Sequence, residues 1–207
     1  MAKLGLCLLL LFSFHLIVAM ATNPTVVIDS STTNFIKTSC RATSYPALCV
    51  QSLSSYASTI QQSDQQLTQA SLSVSLTRAR LAAVFLSKMT KTSGIKPREY
   101  QAVKDCIANI GDAIYELNRS VQELGHMGKA GAQDFSWHMS NVQTWVSTAL
   151  TKENTCVDGF SVQGMDGNLK VAIKNRVTNI AQLTSNALAL ASRYAARHKA
   201  ASTSNVP

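Results

Sequence analysis

The chain has 207 residues, 19 Lys+Arg against 11 Asp+Glu, and a formal net charge of +8 at pH 7. That length suits one domain with a sizeable core. The basic residues are dispersed, with only a modest cluster at Arg193 to Lys199, which speaks against nucleic acid; beyond the N-terminus no stretch offers the roughly 20 apolar residues of a membrane span, so no membrane residence is expected.

Residues 1–21 read as a secretory signal peptide. Lys3 supplies the positive end, Leu4 to Val18 is almost wholly apolar, and Ala19 and Ala21 are small residues spaced for cleavage. Removal after Ala21 leaves one domain, 22–207, with a net charge of +7 and an extracellular destination. Four cysteines then remain, Cys40, Cys49, Cys106 and Cys156. In an oxidising compartment they argue for two disulfides, with three connectivities open and the local pair Cys40–Cys49 the natural first choice.

Residues 34–61 hold the two cysteines nine apart and Pro46 at the start of a helical turn, which predicts a hairpin or bent extension clipped by its own disulfide. Too small for a core of its own, it should lean on another surface. The hairpin region spans about 30–61 and the rest, about 64–198, predicts four long helices. The first covers Asp64 to Thr92, with Leu67, Ala70, Val74, Leu81, Val84, Phe85 and Met89 on one side and Arg78, Arg80 and Lys88 on the other. Gly94 then breaks the chain and Pro97 opens the second helix, which runs to Leu124 with Val103, Cys106, Ile110, Ala113, Ile114, Leu117, Val121 and Leu124 inward. A glycine-rich link leads to a third helix over Phe135 to Thr151, expected to bury Trp145, Val146 and Leu150. Residues 154–168 should turn the chain into a last helix from Leu169 to about His198, followed by a frayed tail. No strand pair is evident. Four amphipathic helices on short links predict an all-α, up-down-up-down four-helix bundle with an N-terminal helical hairpin.

Little in this pattern carries reaction chemistry. There is no Gly-x-Ser-x-Gly elbow, phosphate loop, HExxH or dinucleotide fingerprint. His126, His138 and His198 are scattered, and Asp134 with His138 is an ordinary helix-start pairing. Asp158 and Asp166 lack the alternating oxygen ligands and closing glutamate of a calcium loop. No metal, cofactor or catalytic residue is expected. Asn118-Arg119-Ser120 is a glycosylation sequon, which makes Asn118 a candidate acceptor on the outer side of the second helix.

The cysteine pair nine apart, the third cysteine in YQAVKDCIANIGDAIYEL (100–117), the fourth in NVQTWVSTALTKENTCVDGF (141–160) and the closing RVTNIAQLTSNALALA (176–191) together resemble the plant invertase and pectin methylesterase inhibitor family. The resemblance covers essentially the whole chain after the signal. It implies the same bundle and hairpin, with disulfides Cys40–Cys49 and Cys106–Cys156. It also implies a non-enzyme that binds a secreted carbohydrate-active enzyme one to one and covers its substrate cleft. Family members that block acid invertase carry a Pro-Lys-Phe segment; here the matching region reads SVQGMDGNLK. Residues 144–160 and 176–190 look closer to inhibitors of pectin methylesterase, which makes that enzyme the expected partner.

By the same resemblance the partner-binding residues are Thr155, immediately before the fourth cysteine, Asp112, six after the third, Asn109 and Glu116 on the helical side of Asp112, and Asp158. Each has a plainer role open to it: Thr155 a backbone turn, Glu116 solvated surface, Asp158 local N–H groups. The basic net charge suggests an acidic or neutral enzyme isoform and weak association with anionic pectin. The rival expectations are an invertase inhibitor and a wall-binding protein that inhibits nothing. Inhibitor-like pro-regions continue into a large catalytic domain, and a chain ending at Pro207 reads as a stand-alone inhibitor in the apoplast and cell wall.

Overall fold

The structure is a computed structural model that describes residues 30–127, 132–161, 165 and 167–204. The signal segment, residues 1–21, lies outside the described residues. Helix α1 is Ser30–Cys40, α2 Pro46–Leu53 and α3 Ala57–Ile60, the last two joined by a 3-10 turn at Ser54–Tyr56. The long helices are α4 Asp64–Met89, α5 Pro97–His126, α6 Ala132–Gly159 and α7 Asn168–Ser204. No strand occurs among the described residues.

Local chemistry sets the helix starts. Ser63 is extended and its hydroxyl accepts from the Gln66 N–H, with Asp64 in the first turn, so α4 begins with a cap and a favourable charge. Pro97 opens α5 where its missing N–H costs nothing, and Glu99 reaches back to accept from the Lys96 N–H at 3.1 Å. Between them Gly94 takes φ +78°, a left-handed turn that glycine adopts without strain.

Each long helix packs against its neighbours in sequence, and α4 and α7 close the ring. The middle of the bundle buries Leu72, Leu76, Leu117, Val142, Val146 and Ala187. One end buries Leu86, Ile110, Phe160, Ile173 and Val177 around Cys106 and Cys156, which are disulfide-bonded with Cα atoms 4.5 Å apart. On the loop-closure model that bridge is worth about 4 kcal/mol.

The hairpin α1–α3 lies on α4 and α7, as a unit with no core of its own must. Ile36, Leu53 and Ile60 pack on Leu67, Val74 and Leu183. The Cys40–Cys49 disulfide, with Cα atoms 5.6 Å apart, closes it. Two polar clamps fix its angle. Asn186 on α7 accepts from the Tyr45 N–H at 3.0 Å and donates to the Tyr45 carbonyl at 2.9 Å. Arg193 donates to the carbonyls of Thr38 and Ser39 at the C-terminal end of α1, where unpaired carbonyls collect.

Three features depart from the sequence pattern. On α4, Leu67, Ala70 and Val74 are buried as expected, but Leu81 and Val84 are 55% and 56% exposed, and the buried stripe there runs through Leu76, Ala79, Ala82 and Leu86. Small residues mark the contact because α5 and α7 approach closely there; the large aliphatic side chains mislead. Helix α6 does not stop at Thr151 but continues through Gly159, because Ala149, Glu153, Cys156 and Phe160 carry one buried side onward. Trp145 and Leu150 on it are only half-buried. Helix α7 runs six residues past His198 to Ser204, its last turns held by Arg197 on Asp64 at 2.7 Å and by Tyr194 and His198 against Phe135. The expected frayed tail is therefore helical through Ser204.

Candidate functional site

Helices α5 and α6 run antiparallel, and their facing side chains form a ladder. At one end the Glu123 carboxylate takes His138 Nδ1 at 2.8 Å and Asn141 Nδ2 at 3.1 Å. Burial pushes the Glu123 carboxyl up, but these hydrogen bonds and the nearby imidazoles outweigh it and hold the group below its ordinary value. One rung on, the Arg119 guanidinium lies 3.8 Å from the Trp145 ring centre, a cation–π contact, and pairs with Glu116 at 3.3 Å. Next, Lys152 Nζ meets Asp112 at 2.7 Å. The Cys106–Cys156 disulfide is the last rung.

Beside that disulfide lies a shallow groove of about 180 Å³, lined by Arg98, Gln101, Asp105, Asn109, Thr155 and Gly159 with the two cysteines beneath. The structure thus brings Asn109 and Thr155 to one groove from two helices. Asn109 donates to the Asp105 carbonyl and Gln101 to the Asp105 carboxylate. The Thr155 hydroxyl donates to the Thr151 carbonyl at 2.9 Å, which leaves its lone pairs as acceptors. Asp112 stands one turn away and is 57% exposed despite its ion pair. Glu116 is only 17% exposed and tied to Arg119. Asp158 is exposed but does not line the groove.

Asp105, Gln101, Arg98 and Lys152 were not singled out by the sequence. Residues 98, 101, 105, 109, 112 and 116 recur every three or four positions, a stripe on one side of α5 that the cysteine-anchored motif covered only in part. His138 does not pair with Asp134; its partner is Glu123 on α5. Asp166 lies outside the described residues. Among the described residues no group of three His, Cys, Asp or Glu side chains could hold a metal ion. No described helix is long and apolar enough to cross a membrane.

Charge is divided between the two sides of the bundle. Helices α5 and α6 carry eight Asp and Glu against four Lys and Arg. Helices α4 and α7 carry nine Lys and Arg against one acid, Asp64. One of the acids on α6, Glu153, is fully buried and accepts from Thr184 Oγ1 at 3.0 Å, while its other oxygen has no partner among the described residues. Burial pushes this carboxyl up to about 8, against the opposing pull of the Thr184 hydrogen bond.

Rigid helices, a disulfide-locked rung and a polar groove describe a scaffold that displays side chains. Residues 34–190 match the family model described as plant invertase/pectin methylesterase inhibitor. The chain is 48% identical over 165 residues to the 21 kDa protein of Daucus carota, covering 80% of this chain and 86% of that one. It is 47% identical over 191 residues to pectinesterase inhibitor 9 of Arabidopsis thaliana, covering 91% and 92%. A crystal structure of mutant form A of a pectin methylesterase inhibitor from Arabidopsis shares the fold, with a TM-score of 0.62 at 22% identity over 76% of this chain and 95% of that one. The chain belongs to the plant invertase/pectin methylesterase inhibitor family.

Proposed function

We propose that this protein, after removal of residues 1–21, is an extracellular inhibitor of pectin methylesterase in the plant cell wall. It performs no chemistry and needs no cofactor. Its α5/α6 face docks on the enzyme one to one, without covalent bonding, and covers the substrate cleft. The observation that carries this reading is the groove beside Cys106–Cys156, where Asn109 and Thr155 meet on two helices tied together by that disulfide. Side chains held in advance lose little freedom on binding, so more of the contact energy survives as affinity. Asp112, Glu116 and Asp158 extend the contact around the groove.

Pectin methylesterase is preferred over invertase because the relative that spans 91% of this chain is a named pectinesterase inhibitor, and because SVQGMDGNLK holds no Pro-Lys-Phe. Residues 162–164 and 166 of that segment lie outside the described residues. The charge division changes the expectation about the partner. The docking face is acidic although the whole chain is basic, so local attraction favours an esterase whose cleft rim is basic rather than an acidic isoform. Asn118 would carry its glycan outside the groove: it is half-exposed, and its side-chain amide oxygen Oδ1 accepts from Arg80 of α4 at 3.2 Å. Assays of the purified protein against a pectin methylesterase and an acid invertase test the proposal. Inhibition of the esterase alone is expected; inhibition of invertase alone, or of neither, overturns it.

A further inference from the structure

On the side of the bundle away from the α5/α6 groove, α4 and α7 enclose a larger groove of about 460 Å³. Its lining includes Arg78, Lys88 and Arg176, with Leu81, Phe85 and Asn179 between them, and no acid. A second hollow of about 320 Å³ continues it toward the hairpin and shares Arg78 and Asn179. Among the described residues no carboxylate pairs with Arg78, Lys88 or Arg176, and Arg176 is instead laid over the Phe85 ring at 4.3 Å. Arg78 and Lys88 are ten residues apart on one helix, about 15 Å along its axis.

We propose that this groove binds a stretch of acidic polysaccharide, a polyuronate such as de-esterified pectin, independently of the enzyme-docking face. The choice of polyuronate rests on the cell-wall reading above; the geometry of the site does not. A cation at each end of the groove and a third, planar one held against Phe85 suit carboxylates repeated along a stiff chain, and a guanidinium can take a carboxylate by two parallel hydrogen bonds. Leu81, Val84 and Phe85 offer apolar walls to the C–H faces of sugar rings. An inhibitor with this arrangement is held on the polymer that the esterase generates, with its opposite face free to dock.

Binding to immobilised polygalacturonate and to fully methyl-esterified pectin, at low and moderate salt, tests the inference. Three proteins are compared: wild type, R78Q/K88Q/R176Q, and K37Q/R41Q/K199Q, which removes the same charge from exposed positions outside both grooves. Polygalacturonate but not the esterified polymer should retain the wild type. The groove variant should bind about tenfold more weakly and the control within about twofold, as expected for three partly exposed charge contacts, and both should still inhibit the esterase. Equal losses in the two variants would reduce the effect to net charge and overturn the site. Absence of wild-type retention would overturn it as well. Loss of esterase inhibition in the groove variant, with retention unchanged, would make the groove a protein-docking surface and likewise overturn it. Failure of the wild type to inhibit any esterase, with retention intact, would sink the inhibitor reading and leave the groove standing.

Discussion

At the scale of single residues, Glu153 is an acid buried completely inside the bundle. It sits between α6 and α7 with one hydrogen bond and one oxygen that has no partner among the described residues, so its neutral form is the one that the fold accommodates. Its folded value of about 8 lies above the ordinary 4.5, so the native state keeps a proton that the unfolded chain releases. Stability from this residue is therefore complete below about pH 4.5 and declines as pH rises toward 8. Thermal unfolding between pH 5 and 8 should show the wild type losing about 2 kcal/mol or more, some 4–8 °C for a chain of this size. Glu153→Gln, which mimics the protonated acid, should be less pH-dependent and the more stable of the two at pH 8; parallel curves for the two proteins would refute this. Asp112 is the opposite case, an exposed acid in a surface ion pair worth at most about 1 kcal/mol to the fold. Asp112→Lys sets a second cation against Lys152, and should leave the melting temperature within a few degrees while weakening esterase binding at least tenfold. Unchanged affinity in calorimetry would remove Asp112 from the interface.

Among the elements, the hairpin depends on two side chains of α7 as much as on its own disulfide. Asn186→Ala deletes both hydrogen bonds to Tyr45 and should cost about 1–3 kcal/mol. Hydrogen exchange should then quicken in α1 and α2 while α5 and α6 stay protected; uniform acceleration throughout would show that the hairpin is not a separate cooperative unit. Much of the architecture was legible in the sequence because cysteine spacing, Pro46 and Pro97, and apolar periodicity agree with one another. The end of α6 was hidden because a glutamate occupies the buried position between Ala149 and Cys156, so the stripe looked broken where it was not. The inward side of the second half of α4 was hidden for the converse reason, since Ala79 and Ala82 face the core and Leu81 faces out. Thr155 was singled out by its place before the fourth cysteine and Asn109 by its helical spacing from Asp112, and the two line one groove. Lys152, Trp145 and Glu123 found partners only through the antiparallel register of two helices, which no local pattern in the chain encodes.

For the whole molecule, net charge proves a poor guide to what each surface offers. The positive balance belongs to α4 and α7, while α5 and α6 are acidic, so one chain can face a basic protein rim on one side and a polyanion on the other. The two faces are also tied down differently, by a disulfide rung on the acidic side and by the hairpin clamps on the basic side. The docking of the acidic face is tested most directly by calorimetric titration of a purified pectin methylesterase with the wild type and with Thr155→Arg, whose bulk would fill the groove beside Cys156. A saturating 1:1 complex with the wild type, weakened at least tenfold by the substitution while the variant's melting temperature holds, is the predicted result. A complex of equal affinity with both proteins would contradict it.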